Sequence, residues 1–194
     1  PHLNQTMPAP LSVTKNDYIA NPKRSDVPTP HWLCEFIASL YPDANRVLDP
    51  CYGDGRMIAP FHARGALTAG YEIKNGTDFL SLPKCSFLNV TDLVVCNPPF
   101  NLGVGRKLGA EVFLDQILNV CGKTQIALCV PMGFRLNQRW TSKRWQKLRQ
   151  DPRLEISSIL SLPLDCYEGV QFHSEVLFFN SPHLKPHYWP PLPN

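Results

Sequence analysis

Three short stretches hold residues whose types and spacing could do chemistry: Asn97-Pro98-Pro99-Phe100, Asp49-Pro50-Cys51-Tyr52-Gly53-Asp54-Gly55 and Tyr71-Glu72-Ile73. In the first, two prolines fix the backbone, so the Asn97 side chain and the neighbouring carbonyls are held as preorganised acceptors. Acceptors beside an aromatic ring suit a planar amino group. The NH2 donates two hydrogen bonds, Phe100 stacks on the ring that carries it, and the nitrogen lone pair is left facing an electrophile. The same residues also suit a Pro-Pro turn that ends a strand, with Phe100 in the core.

The second stretch is a glycine turn that follows a strand and opens a helix. Gly53 and Gly55 allow a tight turn and close approach of a ligand to the backbone. Acids at Asp49 and Asp54 would repel a pyrophosphate and suit a cationic amino group instead. Glu72, at the next strand end, is placed to accept hydrogen bonds from ribose hydroxyls. Together these imply a nucleoside bearing an ammonium group; the alternative is a ligand-free turn with solvated acids.

Charge is concentrated in one place. The chain has 194 residues, 19 basic and 16 acidic, for a net charge of +3. Residues 135–149, RLNQRWTSKRWQKLR, hold Arg135, Arg139, Lys143, Arg144, Lys147 and Arg149 and no acid; the rest of the chain has 13 bases against 16 acids, a balance of −3. With Trp140 and Trp145 interleaved, the segment has the composition of a nucleic-acid-contacting surface. It equally suits a solvated amphipathic helix whose tryptophans face the core.

The elements that must position these residues follow from periodicity. Trp32, Phe36, Ile37 and Leu40 recur at helical spacing after Thr29-Pro30. Short apolar strands are expected at 46–50, 66–73, 92–99, 125–131, 154–162 and 175–179, with helices after the glycine turn, over 110–120 and through the basic segment. Alternation of strand and helix at this spacing gives a parallel α/β sheet, and the last two strands, joined by a short link, pair antiparallel. In such a sheet, ligands gather at the carboxyl ends of the strands near the switch point, where all three stretches fall. Gly103, Gly105 and Gly109 make 101–109 either a mobile lid or a flexible connection.

Composition sets the outer limits. Hydrophobic residues are 43% and charged residues 18%, enough for a sizeable core. No apolar run is long enough to span a bilayer and no signal pattern opens the chain, so no membrane partner is expected. Seven cysteines without C-x-x-C spacing, and six histidines without ligand pairing, suggest neither a disulfide framework nor a metal site, and a reducing intracellular compartment, cytoplasmic or nuclear, is expected. Of 20 prolines, 11 lie within residues 1–30 or 181–194, so 1–27 reads as an extended arm and 181–194 as a Pro-rich tail around a domain at 28–180.

The ordered set Thr29-Pro30, Trp32, Phe36, DPCYGDG, YEI, Thr77-Asp78-Phe79 and NPPF resembles the S-adenosylmethionine-dependent amino-methyltransferases, chiefly the N6-adenine DNA methyltransferases, over residues 28–180. The resemblance implies a Rossmann-like, mostly parallel seven-stranded sheet with an antiparallel last strand. It implies that Asp49 contacts the cofactor's amino group, that Gly53 and Gly55 line its methionine part and that Glu72 holds the ribose, with Pro50 and Ile73 also among the cofactor-binding residues. Asp78 is then expected on the cofactor's adenine amino group with Phe79 against its ring, and Thr29 and Pro30 at the methionine carboxylate. Asn97, Pro98, Pro99 and Phe100 receive the target base, and Arg135, Arg139, Lys143, Arg144 and Lys147 are expected to bind nucleic acid, DNA in preference to RNA. The short chain departs from the family in leaving little room for a target-recognition domain, so sequence reading is expected to fall to the basic segment 135–149, to the 101–109 loop, to a partner subunit or to nothing in the chain. It also suits enzymes of RNA adenine or of protein glutamine, and an inactive cofactor-binding subunit.

Overall fold

The computed structural model describes residues 27–83, 90–99, 102, 107–136, 138–169 and 171–191. The arm at 1–26, Cys85, Phe100, and Gly103 and Gly105 of the expected lid lie outside the described residues.

Seven strands form one sheet: β1 (Arg46–Asp49), β2 (Leu67–Gly70), β3 (Leu93–Cys96), β4 (Gln125–Pro131), β5 (Ile156–Ser161), β6 (Ser174–Phe179) and β7 (His187–Tyr188), in the order β2-β1-β3-β4-β6-β5-β7. β1 to β4 pair in parallel, and β6 runs antiparallel between β4 and β5. The expected α/β class and mostly parallel sheet are what is found. The seventh strand comes from the stretch expected to be a tail: Ile159 and Leu160 pair in parallel with His187 and Tyr188, so the last strand in the chain is parallel to its neighbour and the antiparallel one is the sixth. Two residues between prolines carry too weak a periodic signal to read as a strand.

The central strands are buried on both faces, as near-continuous apolar runs require. Alternate residues go to opposite sides. Val94, Cys96, Ile126, Leu128, Leu177 and Phe179 join one core with helix α3 (Gly109–Cys121), whereas Leu93, Val95, Ala127, Cys129, Val176 and Phe178 join the other with α1 (His31–Ser39) and α2 (Ala59–Ala63). Helix α1 turns Leu33, Cys34, Ile37 and Ala38 inward at helical spacing. Helix α3 does the same with Phe113, Leu114, Ile117 and Leu118.

Two expected helices are shorter than their patterns suggest. After the glycine turn, successive tight turns lead into α2, which has only five residues, Pro60 near its start and Gly65 (φ 91°) just past its end. The basic segment is helical only from Lys143 to Gln150 (α4), capped by the Ser142 hydroxyl accepting from the Trp145 N–H.

Candidate active site

The chain passes from β1 to β2 on one side of the sheet and then crosses to β3 on the other, so the switch point lies between β1 and β3. A cavity of about 380 Å³ opens there, at the carboxyl ends of β1, β2 and β3. That volume suits a nucleoside-sized ligand. Pairing of Asp49 with Gly70, and of Leu48 with Val94, sets the three strand ends side by side.

From β1, Pro50, Cys51, Tyr52, Gly53 and Asp54 line the cavity. Asp49 lies behind them, fully buried; its Oδ1 accepts from the Cys51 N–H at 2.9 Å and its Oδ2 has no hydrogen-bond partner. Burial, aided by the nearby negative charge of Glu72, pushes its carboxyl up to about 7. Gly55 (φ 82°) is also behind the wall: the Tyr52 ring lies over it and over Gly70, where added Cβ atoms would stand 2.5 Å and 2.0 Å from ring atoms.

From β2, Glu72 and Ile73 line the cavity. One Glu72 oxygen accepts from Gly53 N–H and the other from Lys74 N–H, both at 2.9 Å, so this carboxylate ties the glycine turn to the second strand end. Each oxygen keeps acceptor capacity for a hydroxyl. Asp78 caps a short 3-10 turn by accepting from the Leu80 N–H at 2.9 Å, and Phe79 stacks on Phe113 with ring centroids 6.2 Å apart.

From β3, Asn97 and Pro99 reach the cavity, while Pro98 is buried beneath. The Asn97 Nδ2 donates to Thr29 Oγ1 at 2.9 Å. Thr29 lines the cavity, and its carbonyl accepts from Arg56 Nη1 at 3.0 Å; Pro30 does not reach it and serves as the cap of α1. Arg56 in turn is gripped by Asp54, whose carboxyl is held below its usual value by that contact. Thus Thr29, Asp49, Pro50, Gly53, Gly55, Glu72, Ile73, Asp78, Phe79, Asn97 and Pro99 gather in or directly behind one cavity, with Phe100 outside the described residues.

Three site-forming features carry no signal in the sequence alone. Arg56 follows the glycine turn as any surface base could, and Tyr52 stands within the turn with no neighbour in sequence that marks where its ring lies. Gly109 falls within the expected lid, but it is the buried first residue of α3, and the Pro99 carbonyl packs against it.

The five basic residues expected on nucleic acid divide into two groups. Arg135 makes a two-pronged pair with buried Glu175 at 3.0 and 3.1 Å. Arg144 pairs with Glu111 at 3.1 Å, and Lys147 with Asp115, joining α4 to α3. Arg139 and Lys143 are exposed and make no ion pair among the described residues, and Trp140 between them is 79% exposed, its ring edge-to-face with that of Trp145. Among the described residues no cluster of three acids, histidines or cysteines could hold a metal, no helix is long and apolar enough to cross a membrane, and the six described cysteines form no disulfide.

No protein-family model and no curated protein matches the sequence. Solved structures do. The type IIG restriction endonuclease BpuSI superposes with a TM-score of 0.65 at 18% identity, over 84% of this chain and 27% of that one. The methyltransferase subunit of a type I restriction-modification system from Streptococcus thermophilus superposes with a TM-score of 0.59 at 14% identity, over 90% of this chain and 49% of that one. A protein from Listeria monocytogenes assigned as a class I S-adenosylmethionine-dependent methyltransferase gives 0.54 at 12% identity, over 78% and 59%. The chain therefore has the fold found in these structures, two of which are of methyltransferases, and spans about half or less of the two restriction-system proteins.

Proposed function

We propose that this chain is the catalytic domain of an S-adenosylmethionine-dependent methyltransferase that methylates the N6 amino group of adenine in nucleic acid, DNA before RNA. The observation that carries this reading is the convergence of three strand ends, with their acids and Asn97, on one cavity at the switch point of the sheet.

The residues fit the cofactor. Asp49 keeps a buried carboxylate oxygen without a partner, behind a wall formed by the glycine turn, which suits a cationic amino group. Glu72 and Asp78 present acceptors for the ribose hydroxyls and the adenine amino group, and Phe79 offers an aromatic face. When bound, S-adenosylmethionine supplies a methyl group made electrophilic by its sulfonium.

The chain's own contribution is positional. The Asn97 carbonyl oxygen and the backbone acceptors of the Pro98-Pro99 turn take the two N–H bonds of the target amine. That draws its protons into the plane of those acceptors and turns the lone pair toward the methyl. Phe100, from its motif, stacks on the base. A base in a duplex must leave the stack to arrive there. Arg139 and Lys143 contact phosphates and Trp140 stacks on an unpaired base. The likeness to the methyltransferase subunit of a type I restriction-modification system supports a partner chain that selects the sequence.

The test is mass spectrometry of nucleosides from DNA and RNA incubated with the protein and labelled cofactor, alongside labelled cell protein. Label in N6-methyladenine supports the proposal. Label in glutamine, or none in any polymer despite cofactor binding, overturns it.

A further inference from the structure

The amide of Asn97 has two ends, and only its oxygen can accept from an amino group. Something must therefore keep the nitrogen end away from the incoming amine. In this chain that partner is a hydroxyl more than 60 residues earlier: Thr29 Oγ1, 2.9 Å from Asn97 Nδ2. Thr29 is only 4% exposed, and Pro30 restricts its backbone to extended conformations. Its carbonyl is held by Arg56 Nη1 at 3.0 Å, and the Arg56 Nε is held by both Asp54 oxygens at 2.9 and 2.8 Å. Asp54, Arg56, Thr29 and Asn97 all border the same cavity.

We propose that Thr29 is a positioning residue for the target amine: its hydroxyl, anchored through Arg56 to the glycine turn, orients the Asn97 amide so that its oxygen faces the reacting group. The inference rests on the methyltransferase reading of the site, and it gives Thr29 a task separate from the cofactor contact implied by the family resemblance. The line of contacts joins the turn that embraces one substrate to the acceptor that embraces the other. Arg56 carries that link because its planar fork bonds Asp54 and the Thr29 carbonyl in one fixed geometry, where a lysine would offer a single mobile point charge.

The test compares Thr29→Val, of similar shape without a hydroxyl, with Thr29→Ser, which keeps the acceptor. In nitrogen-edited NMR of the ligand-free protein, the Asn97 side-chain NH2 signals are assigned by their loss in Asn97→Ala. Thr29→Val is expected to shift them and speed their solvent exchange at least about threefold, and Thr29→Ser to leave them near their original positions. Single-turnover methyl transfer is expected to fall about tenfold in Thr29→Val and to recover in Thr29→Ser, the loss of rate exceeding any change in the equilibrium cofactor Kd. Arg56→Lys is expected to fall between the two variants. Unchanged amide signals in a folded Thr29→Val overturn the proposal, as does a loss of cofactor affinity equal to the loss of rate, which makes Thr29 a cofactor contact only. If the unaltered protein methylates no polymer, the functional reading fails while the amide signals still decide whether Thr29 holds Asn97.

Discussion

A side chain on Gly109 would put its first carbon 1.7 Å from the carbonyl oxygen of Pro99 and 3.0 Å from the carbonyl carbon. Helix α3 and the Pro-Pro turn touch only because residue 109 has no Cβ. Gly109→Ala must push the turn away from the helix, and with it the acceptors beside Asn97. We expect this variant to remain folded, to lose about 1–3 kcal/mol of stability to overpacking, and to lose methyl transfer at least about tenfold, since small displacements of a positioned group are costly. Thermal melts and single-turnover assays check the two effects separately.

Asn97→Ala removes the side-chain acceptor and leaves the cofactor's acids in place. Transfer is expected to drop by at least about a hundredfold, the scale of losing one preorganised polar group at a reacting centre, with cofactor affinity nearly intact. Retained activity in a rate assay with saturating cofactor sinks the proposed mechanism.

Asp49 gives a pH signature. Its carboxyl sits at about 7 in the folded chain against 3.8 ordinarily, chiefly through burial. Between those values the folded protein holds a proton that the unfolded chain has lost, so this group's contribution to stability falls as pH rises from about 4 to about 7. Asn at this position cannot ionise, so Asp49→Asn is expected to melt with a flatter pH dependence over that range. A cationic ligand group favours the ionised form, so cofactor affinity is expected to rise with pH up to about 7 and then level off, with proton release on binding below it. Calorimetry in buffers of different ionisation enthalpy measures the proton; equal release in Asp49→Asn shows that another group titrates.

Neutralising Arg139 and Lys143 together is expected to weaken nucleic-acid binding and reduce the salt slope by about 2, one for each phosphate that no longer meets a cation. Neutralising Arg144 and Lys147 removes their pairs with Glu111 and Asp115 instead. That change is expected to lower stability, more through the mostly buried Arg144–Glu111 pair than through Lys147–Asp115, and to leave the slope nearly unchanged. Fluorescence titrations at several salt concentrations distinguish the two pairs of variants.

Most of the sheet could be read from the chain because its central strands are short apolar runs bounded by glycine and proline, and burial on both faces leaves little else for such runs to be. The strand-end acids and Asn97 were legible for a related reason: the switch point of a parallel sheet selects strand ends. β7 was not legible, because His187 and Tyr188 are recruited by the exposed edge of β5 and not by any pattern of their own. The basic segment misleads in another way. Sequence counts charges but does not show their partners, and Glu175, Glu111 and Asp115, which neutralise half of it, come from elements far along the chain. Likewise, Gly109 and Arg56 act through residues 10 and 27 positions away, which no local pattern encodes.

The Tyr52 ring occupies the space that side chains on Gly55 and Gly70 would need. These three positions therefore behave as a single volume shared between a loop and a strand. Among descendants of this chain, a residue larger than glycine at 70 should be found only where position 52 has become small, while position 55, at φ 82°, stays glycine whatever its neighbour becomes. Paired change at 52 and 70 is thus the expected trace of this ring in the chain's evolutionary record.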